Sequence, residues 1–429
     1  MRRIFSIFLV CLILTGCGVP KAGESAAPEP SSVTEIILSD DSIQVIGGAE
    51  AAVVLLTKNI IYYEDRETYD SGNPYGEGTP EERHTAEEAA AHTVVNITKP
   101  GSYRVEGKLS AGQIRVDLGK DANEDPNAVV ELILDNADIT CTVAPAILFL
   151  NVYECDEDTS KKNATADVDT TAAGANLILE GKNTVTGSHV AKIFKDKDGE
   201  KKLWKQDAAI YSYMSMNIDG TGILSLTADN EGLGSEMHLT VNGGNISIES
   251  GNDGINTNKD GVSVITLNGG NVGISAGLGG EGDGMDSNGY LVINDGHILA
   301  FAHPASDSGL DSSLGTFIHG GSVLAMGSAE DGIHEDSRQI TMNLQFATPQ
   351  SPRAEIVITR EDGTKIYDFQ DEDTYDRPYT GLILASDGFK PEETYHLYID
   401  GQQMEHDSTV DFHMNDTVNN FSGITARTE

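Results

Sequence analysis

The sequence predicts an all-β protein: a parallel β-helix followed by a small C-terminal antiparallel β domain or cap. Three observations carry this. Helical periodicity is absent from every long segment, apart from one short helix expected around Pro80 to Ala91. The rest of the chain reads as short β-rich runs cut by Gly, Asn and Asp. Above all, one motif recurs. Met237-His-Leu-Thr-Val-Asn-Gly-Gly-Asn-Ile-Ser-Ile is echoed from Val264, Tyr290 and Gly315, and more loosely from Met214. The turn residues Asp219, Asn242, Asn268, Asn294 and His319 are 23, 26, 26 and 25 residues apart. A second landmark (Glu231, Asp253, Asp283, Ser308 and Asp331, each followed by Gly and an apolar residue) runs in phase at spacings of 22, 30, 25 and 23. Two in-phase landmarks at this period fit one coil of a stacked β repeat; a propeller blade would need ~40–50 residues. Leu233, Ile255, Met285, Leu310 and Ile333 are expected to point inward and stack.

The elements follow in order. Residues 1–17 read as a signal peptide. Met1-Arg2-Arg3 is basic, Ile4 to Leu14 is apolar but too short to span a bilayer, and Leu14-Thr15-Gly16-Cys17 looks like a lipobox with Cys17 as the lipidated residue. Residues 18–32, rich in Pro, Ala, Ser and Glu, form a flexible tether. This places the chain on the extracellular face of the cytoplasmic membrane, held by lipid alone. The β-helix is expected over 33–345, with its clearest coils at 207–337. Fainter coils lie at Val129 to Asp138 and Leu177 to Thr186, and insertions at Asp156 to Thr171 and Lys192 to Lys205 interrupt them. Beyond Arg338 the rhythm stops, and 346–429 is expected to cap the open sheet edge.

The charge narrows the partners. The chain has 28 Lys+Arg against 68 Asp+Glu, a formal net charge of −40. A polyphosphate partner needs clustered Lys and Arg, so nucleic acid is excluded. From Gln206 to Ser337 there are 18 acids and one basic residue, Lys259. Equivalent positions on successive coils lie ~4.8 Å apart, where bare carboxylates repel. A hard cation taking oxygen ligands removes that repulsion. Calcium is therefore expected at the corner carrying Asp253, Asp283, Asp286, Asp311, Asp331 and Asp336. As turn formers, Asp and Asn also need no other reason to recur at a corner. In an exported chain Cys141 and Cys155 could form one disulfide. Trp204, in a polar insertion, is a candidate ligand-stacking ring.

These features together resemble bacterial cell-surface carbohydrate-binding β-helix proteins, best known in clostridia. The resemblance rests on the lipobox, Gly101-Ser-Tyr followed by Gly112 to Asp117, Leu132 to Ile139, and the Asn-Gly-Gly and Asp-Gly-Ile coils. It covers roughly Val33 to Asp400; the order and number of its motifs are more specific than any one of them. It implies a right-handed parallel β-helix, bound calcium, and an extracellular polysaccharide partner, polygalacturonate or a cellulose-like glucan. The acidic loop Glu64 to Glu88 and the Lys192 to Lys205 insertion depart from the pattern. A calcium-assisted lyase needs a strong base, which the base-poor coils argue against; an inverting hydrolase needs two carboxylates ~6.5–9.5 Å apart. Either enzyme is the first alternative to a binder, and a protein-binding scaffold or adhesin is the second.

Overall fold

The computed structural model describes residues 33–48, 50–57, 84–156, 160–190, 205–328, 332–370, 376–390, 393–404, 408–413 and 425–427. The expected lipidation residue Cys17, the expected tether, Trp204 and Asp331 lie outside them. The described chain is nearly all β. Its α-helix, Ala86–Ala90, starts in a capping box: Glu88 N–H donates to Thr85 Oγ1 at 3.1 Å, and Thr85 N–H donates to Glu88 Oε2 at 2.6 Å.

From Ala208 onward each repeat contributes three strands, and each strand pairs in parallel with its counterpart in the next repeat. The first ladder runs through Met216–Gly220, Leu239–Val241, Val264–Leu267, Tyr290–Ile293 and Gly315–Ile318. The second runs through Ile223–Ala228, Asn245–Ser250, Asn271–Ser275, His297–Phe301 and Ser322–Gly327. The third runs through Ala208–Ser212, Glu231–Ser235, Ile255–Thr257, Met285–Ser287 and Leu310–Ser312. Gly101–Leu109, Val130–Thr140 and Ala175–Glu180 continue the parallel pairing upstream.

The alternation of strand side chains explains the register. Leu239, Ile265 and Leu291 share one buried column, and Ile246, Val272, Ile298 and Val323 another. A slip of one residue would turn each of these columns toward solvent. The Asn-Gly-Gly corners need their second glycine. Gly244 and Gly270 adopt φ of 95° and 86°, and a Cβ on Gly270 would meet the Gly244 carbonyl oxygen at 2.9 Å.

After the repeats the pairing turns antiparallel, except that Ser408–His413 and Thr425–Arg427 pair in parallel. Tyr379–Ala385 pairs with both Ser322–Gly327 and Thr341–Gln350, covering the last edge of the second ladder. A four-stranded antiparallel sheet follows, built from Ile356–Arg360, Lys365–Phe369, Tyr395–Ile399 and Gln402–Gln403. Phe301, Leu324 and Met326 pack with Leu344, Ile358 and Leu382 in one apolar cluster, so repeats and cap share a core.

Two expectations need correction. Ile333 does not continue the Leu233–Ile255–Met285–Leu310 column. It bridges in parallel to Thr316 in the first ladder, which carries the fifth landmark away from the other four. Cys141 and Cys155 are free thiols and not a disulfide. Cys141, directly after the long strand Val130–Thr140, is fully buried in the main core, while Cys155 is only partly buried beside Glu154. Burial pushes both thiols up to about 12, so neither is an activated nucleophile.

Candidate functional site

The outer face of the first ladder forms a cleft of about 640 Å³. Its floor is a column of outward-facing residues in strict register, Asn217, Thr240, Thr266, Val292 and Phe317. Beside it the corner residues form a second column. Asn268 Nδ2 donates to Asn242 Oδ1 at 2.8 Å, and Asn294 Nδ2 donates to Asn268 Oδ1 at 2.8 Å. His319 occupies the same corner position one repeat on. The turn signal of the sequence is thus an amide ladder, one side chain per repeat.

One wall is the insertion around Ala166 to Thr171. Ala166 and Val168 pack on Val264, Val292 and Phe317. Asn217 Nδ2 donates to the Thr170 carbonyl at 2.8 Å, while the buried Asn217 Oδ1 has no hydrogen-bond partner. At the far end the rings gather. His334 stacks on Phe317 with centroids 4.1 Å apart, Tyr290 meets Phe317 edge-on at 5.9 Å, and His319 lies 5.9 Å from Phe317. Tyr290, Phe317 and His319 fall on the repeat's strands and corner. Their period along the chain is the same inside and outside, and only the pleat puts Phe317 on the outer face.

The acidic stripe lies on the third ladder and its preceding corner. Asn256, Asp286 and Asp311 are in register on adjacent strands. Two residues ahead of the buried apolar column, Asp253 and Asp283 form a relay: Asp283 N–H donates to Asp253 Oδ1 at 2.8 Å, and Ser308 N–H donates to Asp283 Oδ1 at 2.6 Å. Asn256 Nδ2 bridges Glu231 Oε1 at 2.8 Å and Asp253 Oδ2 at 3.1 Å. Burial drives the Glu231 carboxyl well above its ordinary range, and the Asp207 and Asp253 charges add to it. Burial likewise lifts Asp253 to about 6 and Asp283 to about 8, the latter helped by Asp253, Asp311 and Asp286. Four of the six expected cation ligands therefore share this stripe. Asp336 does not: the bridge at Ile333 takes it to the cleft on the first ladder, where it is exposed.

The donor set suits a hard cation, since the buried Glu231 Oε2 and Asn256 Oδ1 both lack hydrogen-bond partners. The acids are strung along the ladder and not gathered. Among the described residues no three His, Cys, Asp or Glu side chains converge closely enough to hold a metal ion as they stand. Sequence reasoning placed neither Glu231 nor Asn256 among the ligands; Glu231 stands at a landmark position and Asn256 three residues after the landmark Asp253.

A family described as carbohydrate-binding domain-containing protein matches residues 91–360. The chain belongs to this family. A carbohydrate-binding domain-containing protein of Acetivibrio thermocellus is 29% identical over 157 residues, 36% of this chain and 45% of that protein. The match thus spans less than half the length of that curated relative. Among solved structures, the polysaccharide lyase-like protein from C. thermocellum, a gadolinium derivative, is 21% identical with a TM-score of 0.38, covering 68% of this chain and 93% of that one. The matched residues 91–360 include both the amide-lined cleft and the acidic stripe.

Proposed function

We propose that this family member binds a polysaccharide chain along the cleft on its first ladder. The observation that carries the reading is the amide column Asn242–Asn268–Asn294 running toward the Phe317 and His334 rings. Each amide offers both donor and acceptor to sugar hydroxyls, and ring faces accept the apolar face of a pyranose. Strands repeat every ~4.8 Å, close to the rise of one sugar residue, so a linear glycan can meet one amide per repeat. A right-handed parallel β-helix is the architecture proposed for these ladders.

The partner proposed is an extracellular polysaccharide such as polygalacturonate or a cellulose-like glucan, with the chain tethered to the cell surface through lipid on Cys17. Calcium is the proposed ion. Glu231, Asp253, Asn256 and Asp283 are the residues that would hold it, with Asp286 and Asp311 next along the ladder. A bound divalent charge would let the buried carboxyls ionise together. No lyase or hydrolase step is assigned to these residues.

The test is retention on a polysaccharide panel, with and without a chelator, with soluble products measured in parallel. Retention without product supports the binder. Release of unsaturated or reducing ends would make the protein an enzyme, and absence of both would favour a scaffold. Mass spectrometry of the mature N-terminus tests the lipid on Cys17.

A further inference from the structure

Arg338 stands apart in a chain of charge −40. Its guanidinium makes no ion pair among the described residues, whereas Arg104, Arg360 and Lys108 are paired to carboxylates. It is exposed, and it lines two openings at once. One is the 640 Å³ cleft; the other is a second cleft of about 350 Å³ at the junction with the cap, lined also by Gly320, Gly321, Gln339, Ser386 and Phe389. His319 and Arg338 belong to both linings, so the two openings adjoin at these residues.

The groups around Arg338 are incompletely bonded. His319 Nδ1 and Gln339 Oε1 are buried without hydrogen-bond partners, although Gln339 Nε2 donates to the Gly321 carbonyl at 2.7 Å. Burial, with Arg338 close by, holds the His319 imidazole below its ordinary pKa, so the ring is neutral at pH 7. Arg338 is thus the one fixed positive charge in either lining. Four carboxylates share the linings: Asp167, Asp169 and Asp336 in the larger cleft and Asp387 in the smaller.

We propose that Arg338 is the anchor for a single anionic substituent, a carboxylate or sulfate, on the glycan bound in the cleft. The proposal rests on the polysaccharide reading and adds a residue that sets specificity. The planar guanidinium fork matches a carboxylate or sulfate edge and makes charge-assisted hydrogen bonds. The surrounding carboxylates allow only one such charge. A glycan charged on every residue would set its other anions against Asp167, Asp169 and Asp336.

The experiment compares three polymers of one backbone in a chelator: fully methyl-esterified, sparsely de-esterified, and fully de-esterified. A sparsely sulfated neutral glycan separates sulfate from carboxylate. Wild-type protein is expected to bind the sparsely charged polymer roughly tenfold more tightly than the neutral one, and more tightly than the fully charged one. Arg338→Gln should abolish the preference for the sparsely charged over the neutral polymer, and Arg338→Lys should restore it in part. Because Arg338 is exposed and unpaired, thermal melting should be the same for all three proteins. Equal wild-type binding to sparse and neutral polymers overturns the anchor while sparing the polysaccharide reading, as does a preference that survives in Arg338→Gln. Failure to bind any polymer overturns both.

Discussion

Replacing Asp283 with Asn tests the electrostatic account of the acidic stripe. The amide keeps an acceptor for the Ser308 N–H, which now donates to Asp283 Oδ1 at 2.6 Å, and removes one charge beside Asp253, Asp286 and Asp311. The carboxyl moves from 3.8 to about 8 on folding. The folded state therefore holds a proton that the unfolded chain has released. The associated stability is fully present below pH ~4 and is lost as pH rises through about 8. At ~1.4 kcal/mol per pH unit, the span to pH 7.5 sets a ceiling of ~5 kcal/mol. Asp283 is partly open to water, and screening lowers the expected effect to ~2 kcal/mol. Thermal melting in a chelator is the assay. At pH 8 the Asp283→Asn protein should melt higher than wild type, by about 2–4 °C per kcal/mol at most. At pH 4 the two should coincide. Adding calcium at pH 8 should raise wild type and not the variant. A variant that melts below wild type at pH 8, or a wild type indifferent to pH between 4 and 8, would refute the reasoning.

Three further outcomes are expected. Phe317→Leu, which keeps apolar cover over Val292 but removes the ring under His334, should weaken glycan retention about three- to tenfold with little change in melting. Ile274→Ala should cost ~2–5 kcal/mol without altering glycan affinity per folded molecule, because Ile274 is buried in register between Ile248 and Ala300, away from the cleft; denaturant unfolding measures it. In the mature domain lacking the signal and Cys17, two thiols should react with a thiol reagent after unfolding without reductant, and Cys141 should not react before it; a count of zero would restore the disulfide.

The sequence by itself determined the all-β class and the positions of the repeats. Each rests on local chemistry: Asn-Gly-Gly at a corner needs positive φ at Gly244 and Gly270, and alternating Ile and Val need a buried face. It also located Asp253, Asp283, Asp286 and Asp311 on one stripe, because a period in the chain becomes a column in space once successive repeats pair in register. What lay beyond it depends on which repeat pairs with which. Ile333 matches the earlier landmarks as a string but bridges to Thr316, and so Asp336 joins the cleft and not the stripe. The same holds for the cleft itself. Its wall comes from the insertion near Thr170, some seventy residues before Thr240, and their hydroxyls meet at 2.8 Å. Arg338, beyond the last repeat, acquires meaning only where two openings converge on it. Local propensity fixes strands and corners; contacts between distant segments, which no short pattern encodes, decided what those strands enclose.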